Sequence, residues 1–558
     1  MNATGEYEEI PAEVIHGLVT EGDLLQEPDT YSVSAAEVRQ ATGTRAEEWK
    51  AALEKEHHVV ERNVFTVTTA EERRQHGPPL PMKIVFTMKK GKCKARAVVC
   101  GNFERDPTKQ LWTAQAEISS LVASLRLAAL RDWKVGAVDV SGAFMYAPLP
   151  EHMLVVVMPP KFFIEHGLAQ PGELWTLHRA VYGLKISPRA WGISRDGEFR
   201  KMTWTVKNTN YFLKQCESDS QVWRLYRHDD TTTLCGLLVV YVDDFLVVTP
   251  SGEMRETFIK KMREVWNMRD EIVLEEGSTV TFLGLELRRS SDGISIGQWS
   301  FIDALLQKHG MSDANPLATV AMEAPGEEDR PTPEDLRKLQ GYAGEFNWLA
   351  TRSRADLSYF VSLLASALSK HSKWAELLAK KILRYLKGTK NAALLLGAQG
   401  DETALVGWSD AGFAGISTKS QSGLFVMWGG APLLWRSSRQ TVSALSTAEA
   451  ELIAAALTWQ IMEGLRLLLE EWGILMKAVT LLVDNTAALA IAEHGSTWRT
   501  RYFGVRAGRI CEEITKGRLM LRHEPTTDMV ADGLTKLGSK EILMNVRQAM
   551  LGVFPTYK

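Results

Sequence analysis

The stretch from Leu237 to Thr249, LLVVYVDDFLVVT, constrains the fold more than any other part of the chain. Its flanks are aliphatic or aromatic, as in a buried strand, yet Asp243 and Asp244 stand side by side in the middle. Two carboxylates about 4 Å apart repel by roughly 4 kcal/mol at an effective dielectric near 20. Burial adds a desolvation cost for each charge. The adjoining residues offer no Lys or Arg. A divalent cation resolves the conflict, and an all-oxygen site with room for water and phosphate suits Mg2+. A tight hairpin, with LLVVY and FLVVT as its strands and the acids at the bend, also relieves burial, because Asp tolerates turns. An ordinary turn with two solvated acids is the plainer alternative.

At 558 residues the chain is too long for one hydrophobic core, so several domains are expected. Its 45% hydrophobic and 24% charged content is that of soluble globular proteins. The formal net charge is only −3, so any nucleic-acid surface must be a local basic patch. The five cysteines, at 93, 100, 216, 235 and 511, are scattered and odd in number. They argue for a reducing compartment and against a disulfide framework or a zinc site. No apolar run is read as long enough to span a membrane, and the amino terminus has no secretory pattern.

Residues 1–42 are acidic with little periodicity and read as a linker or loosely folded lead-in. RAEEWKAALEKEHHVVERN has helical spacing, with Trp49, Leu53 and Val60 on or near one face. From 82 to 305, strand-like runs alternate with helical segments, as in a mixed α+β body. MEAPGEEDRPTPED (322–335) reads as a hinge. Residues 354–389 read as two helices, 396–403 as a second boundary, and 404–558 as an independent α/β domain.

A pair of acids needs a third from elsewhere. VGAVDV is a short strand ending at Asp139, where an acid can meet a neighbouring hairpin; a turn or cap Asp is the bland alternative. Phe144 follows five residues on. HRAVYGLKISPRAW combines Gly183, Lys185, Pro188 and Arg189, which would bring backbone and cationic groups to a phosphate or base. MKIVFTMKKGKCKARAVVCGNF carries five Lys and one Arg and no acid. Lys83, Lys94 and Arg96 are its candidates for a triphosphate, against a merely solvated hairpin. Lys380, Arg384 and Lys387 share one helical face that would follow a duplex backbone, or would simply be exposed.

In order and content, KARAVVCGNF (94–103), DVSGAF (139–144), YGLKISPRAW (182–191), YVDD (241–244), FLGLEL (282–287) and ILRYLKGT (382–389) resemble the reverse transcriptase of copia-type long-terminal-repeat retrotransposons. The resemblance runs from about residue 48 to the carboxyl terminus. It implies an α+β multidomain chain: a right-hand polymerase of fingers, palm and thumb, followed by an α/β RNase H-like domain with a mixed five-stranded sheet. The expected divisions are 1–42 lead-in, 43–305 fingers and palm, 306–400 thumb and connection, and 401–558 RNase H.

It also implies roles. Asp139 and Asp243, assisted by Asp244, would hold paired Mg2+ ions, with Mn2+ as an alternative. Phe144 would be the steric gate against a ribose 2′-hydroxyl. Tyr182 and Gly183, with Lys185, would line the nucleotide pocket. Leu283 and Gly284 would grip the primer. In the last domain the order of three strands, helix, strand, helix, strand, helix matches the RNase H fold. Asp410, Glu451, Asp484 and Asp532 match its metal-binding quartet, again with two ions. Ser446 and Glu449 have the form of a capping box, which leaves Glu451, about 200° further round the helix, for the site. His523 resembles a flexible histidine of some relatives.

RNA template, DNA primer, RNA–DNA hybrid and deoxynucleoside triphosphates are the implied substrates, and protease, integrase and capsid the implied companions. No membrane is implied. A retrotransposon particle in the cytoplasm, or the nucleus, is the implied location. A catalytically decayed nucleic-acid-binding remnant is the rival. Ile186 and Ser187 replace Gln-Ala in the pocket motif, and 496–508 departs from Arg-Thr-Lys-His-Ile-Asp, which puts substrate contacts in question. The chain reads as a carboxyl-terminal portion of a larger polyprotein.

Overall fold

The computed structural model describes residues 30–552 apart from 62–63, 76–77, 90, 105–112, 151–152, 414–418, 478, 495–503 and 538. Four sheets organise them. The first has six strands and centres on a hairpin of β1 (Leu80–Lys89) and β2 (Lys92–Val99). Residues Thr30–Val33 add a strand to its edge, and Ala35–Gln40 follow as a helix closed by a Ser34–Glu37 capping box. The lead-in expected to be loose is therefore structured from residue 30, because strand pairing and a cap offset its polar composition. Residues 1–29 lie outside the described residues.

Helix α1 (Ile118–Leu130) is buried along nearly its whole length, as its all-round apolar sequence requires. It lies beneath the second sheet, seven strands paired antiparallel throughout. At the centre of that sheet stand β3 (Lys134–Asp139), β4 (Gly236–Tyr241) and β5 (Asp244–Thr249). Helix α2 (Ser187–Lys201) packs on its other face. A third sheet is built from β6 (Thr279–Phe282), β7 (Leu285–Ser290) and the strands Gly293–Gly297 and Leu394–Gly397. Its last strand returns after a helical block with its own core, which includes α3 (Ser372–Gly388). Within the segment read as a hinge, Thr332 caps the helix Pro333–Ala350 and shares a capping box with Asp335. Proline at the first helical position is a start signal, so that segment ends in an element rather than a break.

The fourth sheet has the order β10–β9–β8–β11–β12, formed by β8 (Leu405–Gly412), β9 (Gln421–Trp428), β10 (Ala431–Arg439), β11 (Val479–Val483) and β12 (Leu519–His523). The first three pair antiparallel; β8–β11 and β11–β12 pair parallel. Helix α4 (Thr447–Glu471) packs across it. By length and composition alone α4 is long and apolar enough to cross a membrane, contrary to the sequence expectation that no run reaches that length. Half of its apolar window is buried against the sheet, as in the core helix of a soluble fold. A further helix, α5 (Gly504–Thr515), lies between β11 and β12 and was not anticipated.

Candidate active sites

Asp139 ends β3 directly opposite Asp244, the first residue of β5. Tyr241 pairs with Asp244, so Val242 and Asp243 form a two-residue hairpin turn. The Val140 amide donates to the Asp243 carbonyl at 2.9 Å. Sheet register alone thus brings the three acids together. The turn stores strain, since Val242 has φ +53°, a region a β-branched residue rarely enters. Helix α2 holds it there. The Trp191 indole donates to the Val242 carbonyl at 2.6 Å, and Arg195 reaches the same oxygen at 3.4 Å. Arg195 is itself buried and fixed by Asp196 and Gln221 at 2.7 and 2.8 Å.

Burial, and then the Asp139 charge, raise the Asp243 carboxyl above its ordinary range. The Arg269 Nε lies 3.0 Å from Asp139 Oδ1. That oxygen nevertheless has no well-directed hydrogen bond, so Arg269 supplies charge more than a donor. Three half-buried carboxylates, one with a buried oxygen left unsatisfied, fit a hard divalent cation.

The candidate substrate residues surround this point unevenly. Lys83, Lys94 and Arg96 lie on one face of the β1–β2 hairpin, by the pairings Lys83–Val98, Val85–Arg96 and Thr87–Lys94. The Arg96 guanidinium sits 4.8 Å from the Tyr182 ring centroid, and Tyr182 meets Phe144 edge-on at 5.2 Å. Arg96, Tyr182 and Phe144 thus form one wall, and both Arg96 and Tyr182 interact electrostatically with Asp243. Gly183 has φ +89°, and a Cβ there would collide with the Val99 carbonyl. Its place is set by close backbone approach to β2. Lys185 is tied to residue 104, its Nζ donating to the Glu104 carbonyl at 3.1 Å.

Leu283 and Gly284 are the β6–β7 hairpin turn, both at positive φ, in a different sheet from the acids. On α3, Lys380 pairs with Glu376 at 3.1 Å and Arg384 donates to the Asn315 carbonyl at 2.7 Å; Lys387 lies one turn on, in the last turn. Ile186 is buried in the core, and the buried Ser187 hydroxyl donates to the Val181 carbonyl at 2.6 Å. Ile186, where the pocket motif carries Gln, thus packs into the core. Most of 496–508 lies outside the described residues.

The second cluster sits on the fourth sheet. Asp410 comes from β8, Glu451 from α4, and Asp484 from the residue after β11. One oxygen from each lies within 4.8 Å of the others. Burial and the charges of Asp410 and Asp484 push Glu451 up to about 9, and its Oε2 is buried without a partner. Burial and Asp410 likewise raise Asp484 and take Asp532 to about 6. This set too fits a hard divalent ion. Asp532 lies in a 3-10 segment, Val530–Leu534, and the last α-helix begins only at Lys540 (α6, Lys540–Met550). Ser446 caps α4 by accepting from the Glu449 amide, while the Glu449 carboxylate accepts from the Leu445 amide at 2.7 Å. The Glu449 side chain therefore closes the helix one residue earlier than a capping box would. His523 ends β12 with Nε2 3.1 Å from the Asp484 carbonyl oxygen.

Sequence reasoning missed Trp191, Arg195, Arg269, Thr535 and Lys536. Trp191 and Arg195 are four residues apart on one helix, and Lys536 is four residues after Asp532; these spacings were the available signals. Nothing local marks Arg269.

Residues 63–323 match the family model described as Reverse transcriptase (RNA-dependent DNA polymerase). The chain is 28% identical over 460 residues to the Retrovirus-related Pol polyprotein from transposon RE1 of Arabidopsis thaliana, covering 81% of this chain and 30% of that protein. It is 28% identical over 484 residues to the corresponding polyprotein from transposon TNT 1-94 of Nicotiana tabacum, covering 82% and 34%. The chain thus spans about a third of the length of these relatives. A solved foamy viral protease-reverse transcriptase in complex with double-stranded DNA overlaps at a TM-score of 0.26 and 13% identity, over 87% of this chain and 71% of that one, too loosely to argue from. Residues 63–323 thus match the reverse transcriptase (RNA-dependent DNA polymerase) family, and the chain as a whole is similar to retrovirus-related Pol polyproteins of copia-type transposons.

Proposed function

We propose that this chain is an RNA-directed DNA polymerase joined to a ribonuclease H, copying retrotransposon RNA into DNA and degrading the RNA of the hybrid. The observation that carries the reading is the meeting of Asp139, Asp243 and Asp244 at one point of the seven-stranded sheet, inside the segment that matches the family. In this reading the first sheet serves as fingers, the second as palm, the helical block with the third sheet as thumb and connection, and residues 401–558 as the RNase H domain.

Mg2+, or Mn2+ in its place, would be held in pairs by the two acid sets and would supply charge neutralisation at phosphate oxygens and a more acidic attacking hydroxyl or water. The chain's own residues do the positioning. Asp139 and Asp244 face each other in register, and Asp243 projects from a turn that Trp191 and Arg195 hold still. Phe144 presents a ring edge beside Tyr182, where it would crowd a ribose 2′-hydroxyl. Arg96, with Lys83 and Lys94 on the same face, would meet the triphosphate of the incoming nucleotide. The rigid two-residue turn at Leu283–Gly284 would hold the primer end. Lys380, Arg384 and Lys387 would follow the duplex, Lys380 and Arg384 exchanging their internal partners for phosphates. Partner products of the same polyprotein and a particle in the cytoplasm complete the proposal.

The test is a pair of variants and a pair of assays. Asp243→Asn is expected to cut primer extension on an RNA template by about a hundredfold or more, the scale of losing one preorganised charge-stabilising group, and to leave hybrid cleavage intact. Asp410→Asn is expected to do the reverse. Wild-type activity in both variants would overturn the assignment.

A further inference from the structure

We propose that Lys536 is a resident cation on the Asp410–Asp532 edge of the second cluster, where it holds back a second divalent ion. The inference rests on the ribonuclease H reading of that cluster. Its four acids are not equivalent. Asp410, Glu451 and Asp484 bring an oxygen each within 4.8 Å of the others, and Glu451 Oε2 is buried and unpartnered. The fourth acid, Asp532, is spoken for. The Lys536 ammonium lies 2.7 Å from Asp532 Oδ1 and 3.6 Å from Asp410 Oδ1. The Thr535 hydroxyl donates to the other Asp410 oxygen, Oδ2. Two consecutive residues therefore serve both oxygens of the acid shared by the two halves of the site.

A divalent ion held by Asp410 and Asp532 would need carboxylate oxygens at about 2.0–2.1 Å, and Lys536 and Thr535 already engage both Asp410 oxygens and Asp532 Oδ1. An ammonium hydrogen-bonded to Asp532 Oδ1 and such an ion cannot share that place, and their charges repel at any nearby one. Lys536 is built to yield. Its side chain is 40% exposed, and it stands on the chain after a short 3-10 segment rather than inside a packed helix. A flexible four-carbon stem lets the ammonium swing to solvent or to a phosphate of bound hybrid. The first ion is thus free to bind on the Asp410–Glu451–Asp484 side, and the second enters when Lys536 leaves.

Manganese binding to the substrate-free full chain, followed by electron paramagnetic resonance, tests this. The background carries Asp139→Asn and Asp243→Asn, which silence the first cluster. It is expected to bind one Mn2+ tightly and a second only weakly. Lys536→Met retains the stem and removes the charge; it should tighten the second ion about tenfold or more. Lys536→Arg should keep the weak second binding. Lys536→Gln provides the same comparison should the Met variant not fold, as judged by melting in EDTA. A second-ion affinity within twofold of background in the uncharged variant overturns the proposal. Where the first ion then still binds and is lost on Asp410→Asn, the reading of the cluster survives. Absence of any bound ion in the background overturns both.

Discussion

Glu451 carries the most telling electrostatics of any single residue. Its carboxyl is pushed up to about 9 by burial first and then by Asp410 and Asp484. A carboxyl held above its ordinary 4.5 keeps its proton in the folded chain where the unfolded chain has lost it. Stability is then greatest at or below the unfolded value and falls as pH rises toward the folded one. Thermal melts in EDTA should show the melting temperature dropping between about pH 5 and pH 9. Glu451→Gln should flatten that slope and raise the melting temperature at pH 8, and Mg2+ should protect the wild type more than the variant. A slope unchanged in Glu451→Gln would show that other groups carry the dependence. The residue was legible in sequence because the helix phase separates it from Glu449. Its companion Lys536 was not, because a Lys four residues past an acid usually makes only a surface pair.

Among the elements, the β4–β5 hairpin depends on a helix distant from it in sequence. The apolar runs and the acid pair announced a hairpin, but not that Val242 would stand at φ +53° or that Trp191 would hold its carbonyl. Trp191→Phe keeps the ring and loses the N–H. A hydrogen bond of this kind is worth about 1 kcal/mol, so single-nucleotide incorporation should slow roughly fivefold, with hybrid cleavage unchanged. An incorporation rate equal to wild type would mean that the turn stays in place without the bond. Elements misread from sequence failed for local reasons. Thr332 and Asp335 formed a helix start within a charged, proline-rich stretch that read as a hinge. The segment around Asp532 tightens into 3-10 turns, which no apolar periodicity marks. The strand at Thr30–Val33 gains its order from pairing with β1, which no local pattern announces.

Across the whole molecule, the last domain is not set apart as composition suggested. One apolar core runs from Leu121 and Leu125 of α1 to Trp428 of β9 and Trp459 of α4. Arg126, buried in α1, donates to the carbonyls of Trp428 at 3.3 Å and Gln399 at 2.9 Å, and also to those of Gly397 and Gly429. Burial pulls its guanidinium down to about 10, still charged at neutral pH. On the far side, the Glu471 carboxylate accepts from the Glu217 amide at 2.9 Å and the Ser218 amide at 3.3 Å. Arg126→Met would orphan several buried carbonyls and should cost about 3 kcal/mol. Calorimetry should show the transition moving down and broadening or splitting; an unchanged single transition would mean that the apolar core alone joins the parts. Such a latch is invisible to a reading that moves along the chain, since Arg126 lies between 271 and 303 residues from its partners in sequence.

The most direct test of the central claim is incorporation of one deoxynucleotide onto a DNA primer annealed to an RNA template, in Mg2+, by the wild-type chain and by Asp139→Asn. The account expects incorporation by the wild type and a loss of about a hundredfold or more in the variant. Equal rates in the two, or no incorporation by the wild type, would contradict it.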